Sequence, residues 1–231
     1  LVDSLAASTN VQSFTTVLEL GCGTALPSEY LFLKYLQSGA FKGIRLVLSD
    51  YNESVLRLVT IPNLIISWAN AVLTPEEWAM LQRSEDENIP VTDDEVLLTP
   101  AVLSAFKQDI ESKKIEIELL SGTWGRKFNQ LLLEHVVPCK DLLVLTSETI
   151  YQPDTLPVIS ETLLEVLLHN KTSDNVAKAV LAAKDIYFGV GGSVVEFENY
   201  MTKRIKNGNL DLNLQTFKVN AGLKRSIVSI E

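Results

Sequence analysis

At 231 residues, 46% hydrophobic and 21% charged, the chain is long enough to bury one sizeable α/β core without disulfide staples. Its formal net charge of −9 argues against non-specific nucleic-acid binding, which draws affinity from basic patches, and suits either a basic protein partner or an acidic surface kept for solubility. There is no uninterrupted apolar run of about eighteen residues to span a membrane and no secretory-type start. Cys22 and Cys139 have no paired spacing, which points to a reducing compartment. The first residue is Leu, so the sequence is read as an excerpt whose upstream part is unseen.

Apolar runs rich in β-branched residues alternate with helical patterns, which predicts βαβ units and a mainly parallel sheet. A strand over 17–21 leads through Gly21-Cys22-Gly23-Thr24 into a helix over 27–37. A second strand over 44–50 precedes a helix that begins over 52–60. Residues 83–95 carry Glu85, Asp86, Glu87, Asp93, Asp94 and Glu95 with few apolar side chains, which predicts an acidic loop. Thr99-Pro100 then opens a helix to about 113, with Pro where its missing N–H costs nothing. Together, 83–113 reads as an insertion, a surface loop first and a substrate-contacting element second. Strands follow over 115–120, 141–148 and 176–184, then a closing pair over 213–219 and 225–231. Helices over 155–168 and 194–206 lie between them, the latter stopped by Asn207-Gly208-Asn209. Without repeats or low-complexity linkers, 1–231 is read as a single domain.

In open α/β sheets ligands bind beyond the carboxyl ends of the strands, so the residues there belong together. Glu19, Gly21 and Gly23 end strand one. Paired glycines let backbone pass close beneath a nucleotide-like ligand. The third glycine of a dinucleotide fingerprint is replaced by Leu26, which disfavours a nicotinamide dehydrogenase and suits S-adenosylmethionine, whose tail needs no phosphate cradle. Asp50, followed by Tyr51 and Asn52, either accepts from the two ribose hydroxyls of an adenosine or caps the next helix. Gly122, Thr123 and Trp124 end strand three, and Trp124 either lies on an adenine ring or covers the sheet edge. Strand four ends in Thr146-Ser147-Glu148-Thr149-Ile150-Tyr151-Gln152-Pro153-Asp154, polar groups that are costly at a buried mouth unless partnered. Gly189, Gly191 and Gly192 allow another backbone to come near, or a bend. His135 and His169 lack metal-ligand spacing, and neither a nucleophile elbow nor a Walker loop is present.

The ordered set Leu-Gly-Cys-Gly (20–23), Asp-Tyr-Asn (50–52), Pro-Asn (62–63), Ser-Gly-x-Trp (121–124), Ser-Glu-Thr-Ile-Tyr (147–151), Tyr-Phe-Gly-Val-Gly-Gly (187–192) and Gly-Leu-Lys-Arg (222–225) resembles the protein-histidine methyltransferases. Broader relatives methylate lysines and carry an acid-x-x-Tyr motif that Glu148-x-x-Tyr151 echoes. The resemblance implies a seven-stranded Rossmann-like methyltransferase sheet, mostly parallel with the last strand antiparallel and helices on both faces. It implies S-adenosylmethionine as cofactor, held by Glu19, Gly21, Gly23, Asp50, Tyr51, Asn52, Gly122, Thr123, Trp124 and Ser147. It further implies a histidine acceptor in a basic large-subunit ribosomal protein, the L-three protein, and a cytoplasmic setting that extends to the nucleus. A Trp-Glu-Cys-type segment that the family carries upstream of strand one is absent from this sequence.

At strand four, Glu148 or Asp154 is expected to accept a hydrogen bond from the substrate ring, with Tyr151 walling the ring. Glu148 has the alternative of bonding the cofactor's amino group or a nearby loop. Gly189, Gly191 and Gly192 are expected to admit the substrate backbone. No metal, no direct nucleic-acid site and no membrane contact are expected, and a monomer is the default. A lysine methyltransferase of the same fold and a ribosome-assembly module that holds the cofactor stand as alternatives.

Overall fold

Each central strand alternates its apolar side chains between two cores, one on either face of the sheet. Leu18, Leu20, Val47, Leu142 and Val144 face one core, and Val17, Leu46, Leu48, Leu143 and Leu145 face the other. A period-two pattern that is apolar on both faces is what a covered parallel sheet requires. The computed structural model describes residues 1–7, 13–39, 42–92, 95–136, 139–172 and 174–231; Asp93 and Asp94 of the predicted acidic loop lie outside the described residues.

The strands are β1 (Thr16–Leu20), β2 (Ile44–Asp50), β3 (Ile115–Ser121), β4 (Leu142–Ser147), β5 (Ala177–Lys184), β6 (Leu214–Ala221) and β7 (Leu223–Ile230). They form one sheet in the order β3-β2-β1-β4-β5-β7-β6. β1 to β5 pair in parallel, and β7 is antiparallel to both β5 and β6. The expected sheet, with its antiparallel last strand, is therefore present. Strand order reverses between β1 and β4, where the carboxyl ends open a crevice.

One face carries α1 (Val2–Ala7), α2 (Leu26–Ser38), α4 (Ile61–Val72) and α6 (Pro100–Ser112), with Phe32, Leu64, Ile65 and Trp68 buried there. The other carries α7 (Arg126–Val136), α8 (Leu156–Asn170) and α9 (Val194–Gly208), with Leu132, Ile159, Leu163, Phe197 and Met201 buried. The short α3 (Glu53–Val55) runs through a π-helical turn, Leu56–Thr60, into α4, so the helix predicted to begin over 52–60 extends to Val72. Glu53–Val72 is long and apolar enough to cross a membrane by length and composition alone, yet its Leu64, Ile65 and Trp68 lie in the core.

The predicted insertion divides on inspection. α6 belongs to the core: Val102 and Phe106 are buried, Phe106 meets Trp68 edge-on, and the Trp68 indole N–H donates to Asp109 at 2.7 Å. The described residues between α5 (Pro75–Gln82) and α6, 83–92 and 95–99, form no helix or strand, and the Gln82 amide ties Leu97 there through its backbone at 3.0 and 2.8 Å. The sequence reading did not anticipate α1, α5 or α7.

Candidate active site

The turn after β1 is held from below. Glu19, expected to touch the cofactor, is buried instead, and its Oε2 accepts from the Ser28 backbone N–H at 3.0 Å and from the Ser28 hydroxyl. Burial pushes its carboxyl up to about 7, with the Ser28 bonds opposing that rise. Glu19 therefore ties the end of β1 to the start of α2. Cys22 is buried too, and burial with the nearby Glu19 raises its thiol to about 12, so it stays protonated.

Above Glu19 the backbone turns through Gly21 (φ +66°) and Gly23 (φ +53°), a region that favours glycine. A Cβ on Gly21 would meet Thr149 Cγ2 at 2.8 Å and the Trp124 ring at 3.4 Å, whereas one on Gly23 would meet nothing within 4 Å. Gly21 is thus the packed point of the loop and Gly23 its open face. Asp50, at the end of β2, accepts from the Gly23 N–H with Oδ2 and from the Asn52 N–H with Oδ1, both at 3.0 Å. The helix cap falls to Asn52, so Asp50 is a bridge between the two strand ends. Its remaining lone pairs are those a pair of ribose hydroxyls would use. Tyr51 and Asn52 beside it are exposed.

Two contacts that the sequence reading missed secure the same loop. Thr60, in the π-helical turn, donates its hydroxyl to the Gly23 carbonyl at 2.7 Å, and the Asn63 amide donates to the Thr24 carbonyl at 3.0 Å. π-turns within helices recur at functional sites. Nothing in the spacing marks Thr60, although Pro62-Asn63 was among the matched motifs.

The Trp124 ring lies against Gly21, and its buried indole N–H has no hydrogen-bond partner among the described residues. Gly122 donates its N–H to the Asp50 carbonyl at 3.3 Å, which seats Thr123 and Trp124 beside the β2 end. At the mouth of β4, Thr146 donates to the Leu20 carbonyl at 2.9 Å and meets the Thr149 hydroxyl at 2.8 Å, joining β4 to β1. Ser147 ends the strand, half-buried.

Glu148 follows with φ +57°, an uncommon conformation for a residue bearing a side chain. Its Oε2 accepts from the Tyr187 hydroxyl at 2.7 Å, and its Oε1 stands 3.6 Å from Arg225 Nε. Burial and the adjacent Glu148 raise the Tyr187 phenol well above the usual tyrosine range, so it remains a donor. The 43%-exposed Tyr151 meets Tyr187 edge-on at 6.3 Å, and Asp154 is exposed in the turn before α8.

The glycines after β5 require a correction. A Cβ on Gly192 would lie 2.1 Å from the Ile150 carbonyl oxygen, and one on Gly191 would lie 3.3 Å from Pro153. Gly192 admits the chain's own 150–151 backbone, reinforced by its N–H donating to the Tyr151 carbonyl at 3.1 Å, while Gly191 admits the Pro153 ring. Gly189 alone opens onto free space.

No family model matches the chain. Over its full length it is 52% identical to Histidine protein methyltransferase 1 of Saccharomyces cerevisiae, of which it covers 61%. Over 94% of its length it is 35% identical to Histidine protein methyltransferase 1 of Schizosaccharomyces pombe, covering 57% of that protein. The chain is similar in sequence to these two proteins named as histidine protein methyltransferases. It spans somewhat under two thirds of these two relatives. Among solved structures, the O-methyltransferase from Bacillus cereus in complex with SAH superposes with a TM-score of 0.52 at 11% identity, over 99% of this chain and 79% of that one. That likeness is one of fold alone, a Rossmann-like sheet shared with a methyltransferase solved with SAH bound. The loop fits S-adenosylmethionine on its own evidence, through the open side of Gly23, the bridged Asp50 carboxylate and the Trp124 indole, unpartnered among the described residues.

Proposed function

We propose that this chain catalyses methyl transfer from S-adenosylmethionine to a ring nitrogen of a histidine in a protein. The observation that carries this reading is a fixed carboxylate, Glu148, at the mouth of β4 beside the Gly21–Gly23 loop, in a chain similar in sequence to proteins named as histidine protein methyltransferases. Gly21, Gly23, Asp50 and Trp124 would hold the cofactor, with Thr123 and Ser147 at the rim. When bound, it supplies an electrophilic methyl group on a sulfonium centre.

The rest falls to the protein. A histidine of ordinary pKa, about 6.5, is largely uncharged at neutral pH, so its ring nitrogen already has a free lone pair. What is needed is alignment and exclusion of water rather than a strong base. Glu148 accepts the N–H of the other ring nitrogen, which selects the tautomer whose lone pair faces the methyl group. The ring that gains the methyl carries a positive charge until that N–H proton leaves, and the carboxylate steadies this charge. Tyr151 walls the ring, and Asp154 stands further along the same rim.

The acceptor we propose is the basic L-three protein of the large ribosomal subunit, met in the cytoplasm and also the nucleus by a monomer that binds no nucleic acid directly. The chain's excess of 29 acidic over 20 basic residues supports a basic partner. The test is to incubate the chain with S-adenosylmethionine and purified L-three protein and to map the methyl group by mass spectrometry. A methylated histidine is expected, with Glu148→Gln slowing transfer by on the order of tenfold or more, as for a lost bond to a charged group. A methylated lysine would overturn the histidine reading. Unchanged turnover in Glu148→Gln would overturn the role of that carboxylate.

A further inference from the structure

Tyr-Phe-Gly-Val-Gly-Gly (187–192) and Gly-Leu-Lys-Arg (222–225) mark the sequence strongly, yet the roles above use neither Tyr187 nor Arg225. The fold brings both to one carboxylate. β7 runs antiparallel to β5 with Arg225 opposite Lys184, so the start of β7 lies beside the end of β5. Tyr187 follows β5 by three residues. Its backbone N–H donates to the Gly192 carbonyl at 3.0 Å, and its hydroxyl is the acceptor for the Lys184 N–H at 3.4 Å. The phenol is thereby seated from both sides before it donates to Glu148.

Glu148 needs such a partner. Its backbone is left-handed, an arrangement that surrounding structure has to enforce, and its side chain is partly exposed, so the carboxylate depends on its bonding partners to hold one rotamer. Its N–H is fixed by the Ala182 carbonyl at 2.9 Å, but that bond leaves the carboxylate unaimed. One oxygen is taken by Tyr187, and the other faces Arg225 at a loose 3.6 Å, which leaves it able to accept from a substrate N–H.

We propose that Tyr187 is a positioning residue that aims the Glu148 carboxylate at the acceptor ring, with Arg225 steadying the opposite oxygen. This rests on the methyl-transfer reading above. It also gives the turn over 187–192 a purpose: the tight fit of Gly192 against the 150–151 backbone holds the phenol and the carboxylate in one rigid assembly.

The decisive variant is Tyr187→Phe, which keeps the buried ring and removes only the hydroxyl. Transfer to L-three protein is expected to fall by roughly 10- to 100-fold in kcat, the range for one hydrogen bond to a charged group, while KM for both substrates stays within about twofold. A crystal structure of the variant is expected to show the Glu148 side chain displaced. A kcat within about twofold of the parent, a change confined to KM, or a Glu148 carboxylate still in its original place would each overturn the positioning role. Should the parent chain methylate no histidine, the proposed function falls, and the position of Glu148 in the variant crystal still decides the clamp.

Discussion

Asp50 illustrates how one side chain serves two purposes. Its two oxygens take backbone N–H groups from the glycine loop and from Asn52, so the carboxylate is fixed before any ligand arrives. Asp50→Ala should weaken S-adenosylmethionine binding by about 1–3 kcal/mol, both through the lost acceptor and through the loosened loop. Isothermal titration checks this, and unchanged affinity would remove Asp50 from the cofactor site. Glu19 makes a different prediction, about stability. Its carboxyl is held near 7 in the fold against an ordinary 4.5. Between these values the folded chain keeps a proton that the unfolded chain has released. Stability from this group is therefore full below the unfolded pKa and lost as the pH rises toward 7, by roughly 3 kcal/mol at most. Glu19→Gln abolishes the titration. Urea unfolding should show the variant gaining on the parent between about pH 5 and about pH 8, and a constant difference would refute the assignment.

At the scale of elements, the turn over 187–192 and the π-helical turn both brace the site rather than line it. Gly192→Ala places a methyl group inside the contact distance of the Ile150 carbonyl, an obstacle of backbone that cannot swing away. It should lower both the melting temperature and methyl transfer. Gly189→Ala meets open space and carries only the cost of its φ of +80°, about 1 kcal/mol. Parallel melting and activity assays compare the two, and an equal effect would mean that packing at Gly192 is immaterial. Much of this was legible in the sequence. The β1 to β5 strands announced themselves by apolar runs ending in Gly or acid, and among the strand-end residues Gly21 packs on Trp124 and Gly23 bonds Asp50. The failures have physical reasons. α5 carries a full capping box, Thr74 with Glu77, but it is short and weakly amphipathic. The π-turn carries no residue pattern that distinguishes it from ordinary helix, so Thr60 is invisible as a loop anchor. Glycine clusters announce close approach without saying of what, and in Gly192 the neighbour is the chain itself.

The whole molecule adds a field to these local arrangements. With 29 acidic and 20 basic residues it is net negative, and a basic acceptor would be drawn to it before any side chain makes contact. Such attraction acts across solvent and is screened over about 10 Å at 0.1 M salt. The bonds that fix the site are shorter and partly buried: Glu19 with Ser28, Asp50 with Gly23, Glu148 with Tyr187. Salt should therefore separate capture from chemistry. Raising ionic strength from about 0.05 to about 0.3 M should increase KM for the proposed acceptor, L-three protein, several-fold. Over the same range kcat and the affinity for S-adenosylmethionine, itself not steered by a strong net charge, should change by less than about twofold. Steady-state kinetics at several salt concentrations makes the comparison directly. A salt-independent KM would show that the acidic surface serves solubility alone and that recognition is confined to the rim around Tyr151 and Glu148. A kcat that falls with salt would instead place a screened charge among the groups aligning the ring, and the exposed Asp154 is the carboxylate on that rim to examine by Asp154→Asn.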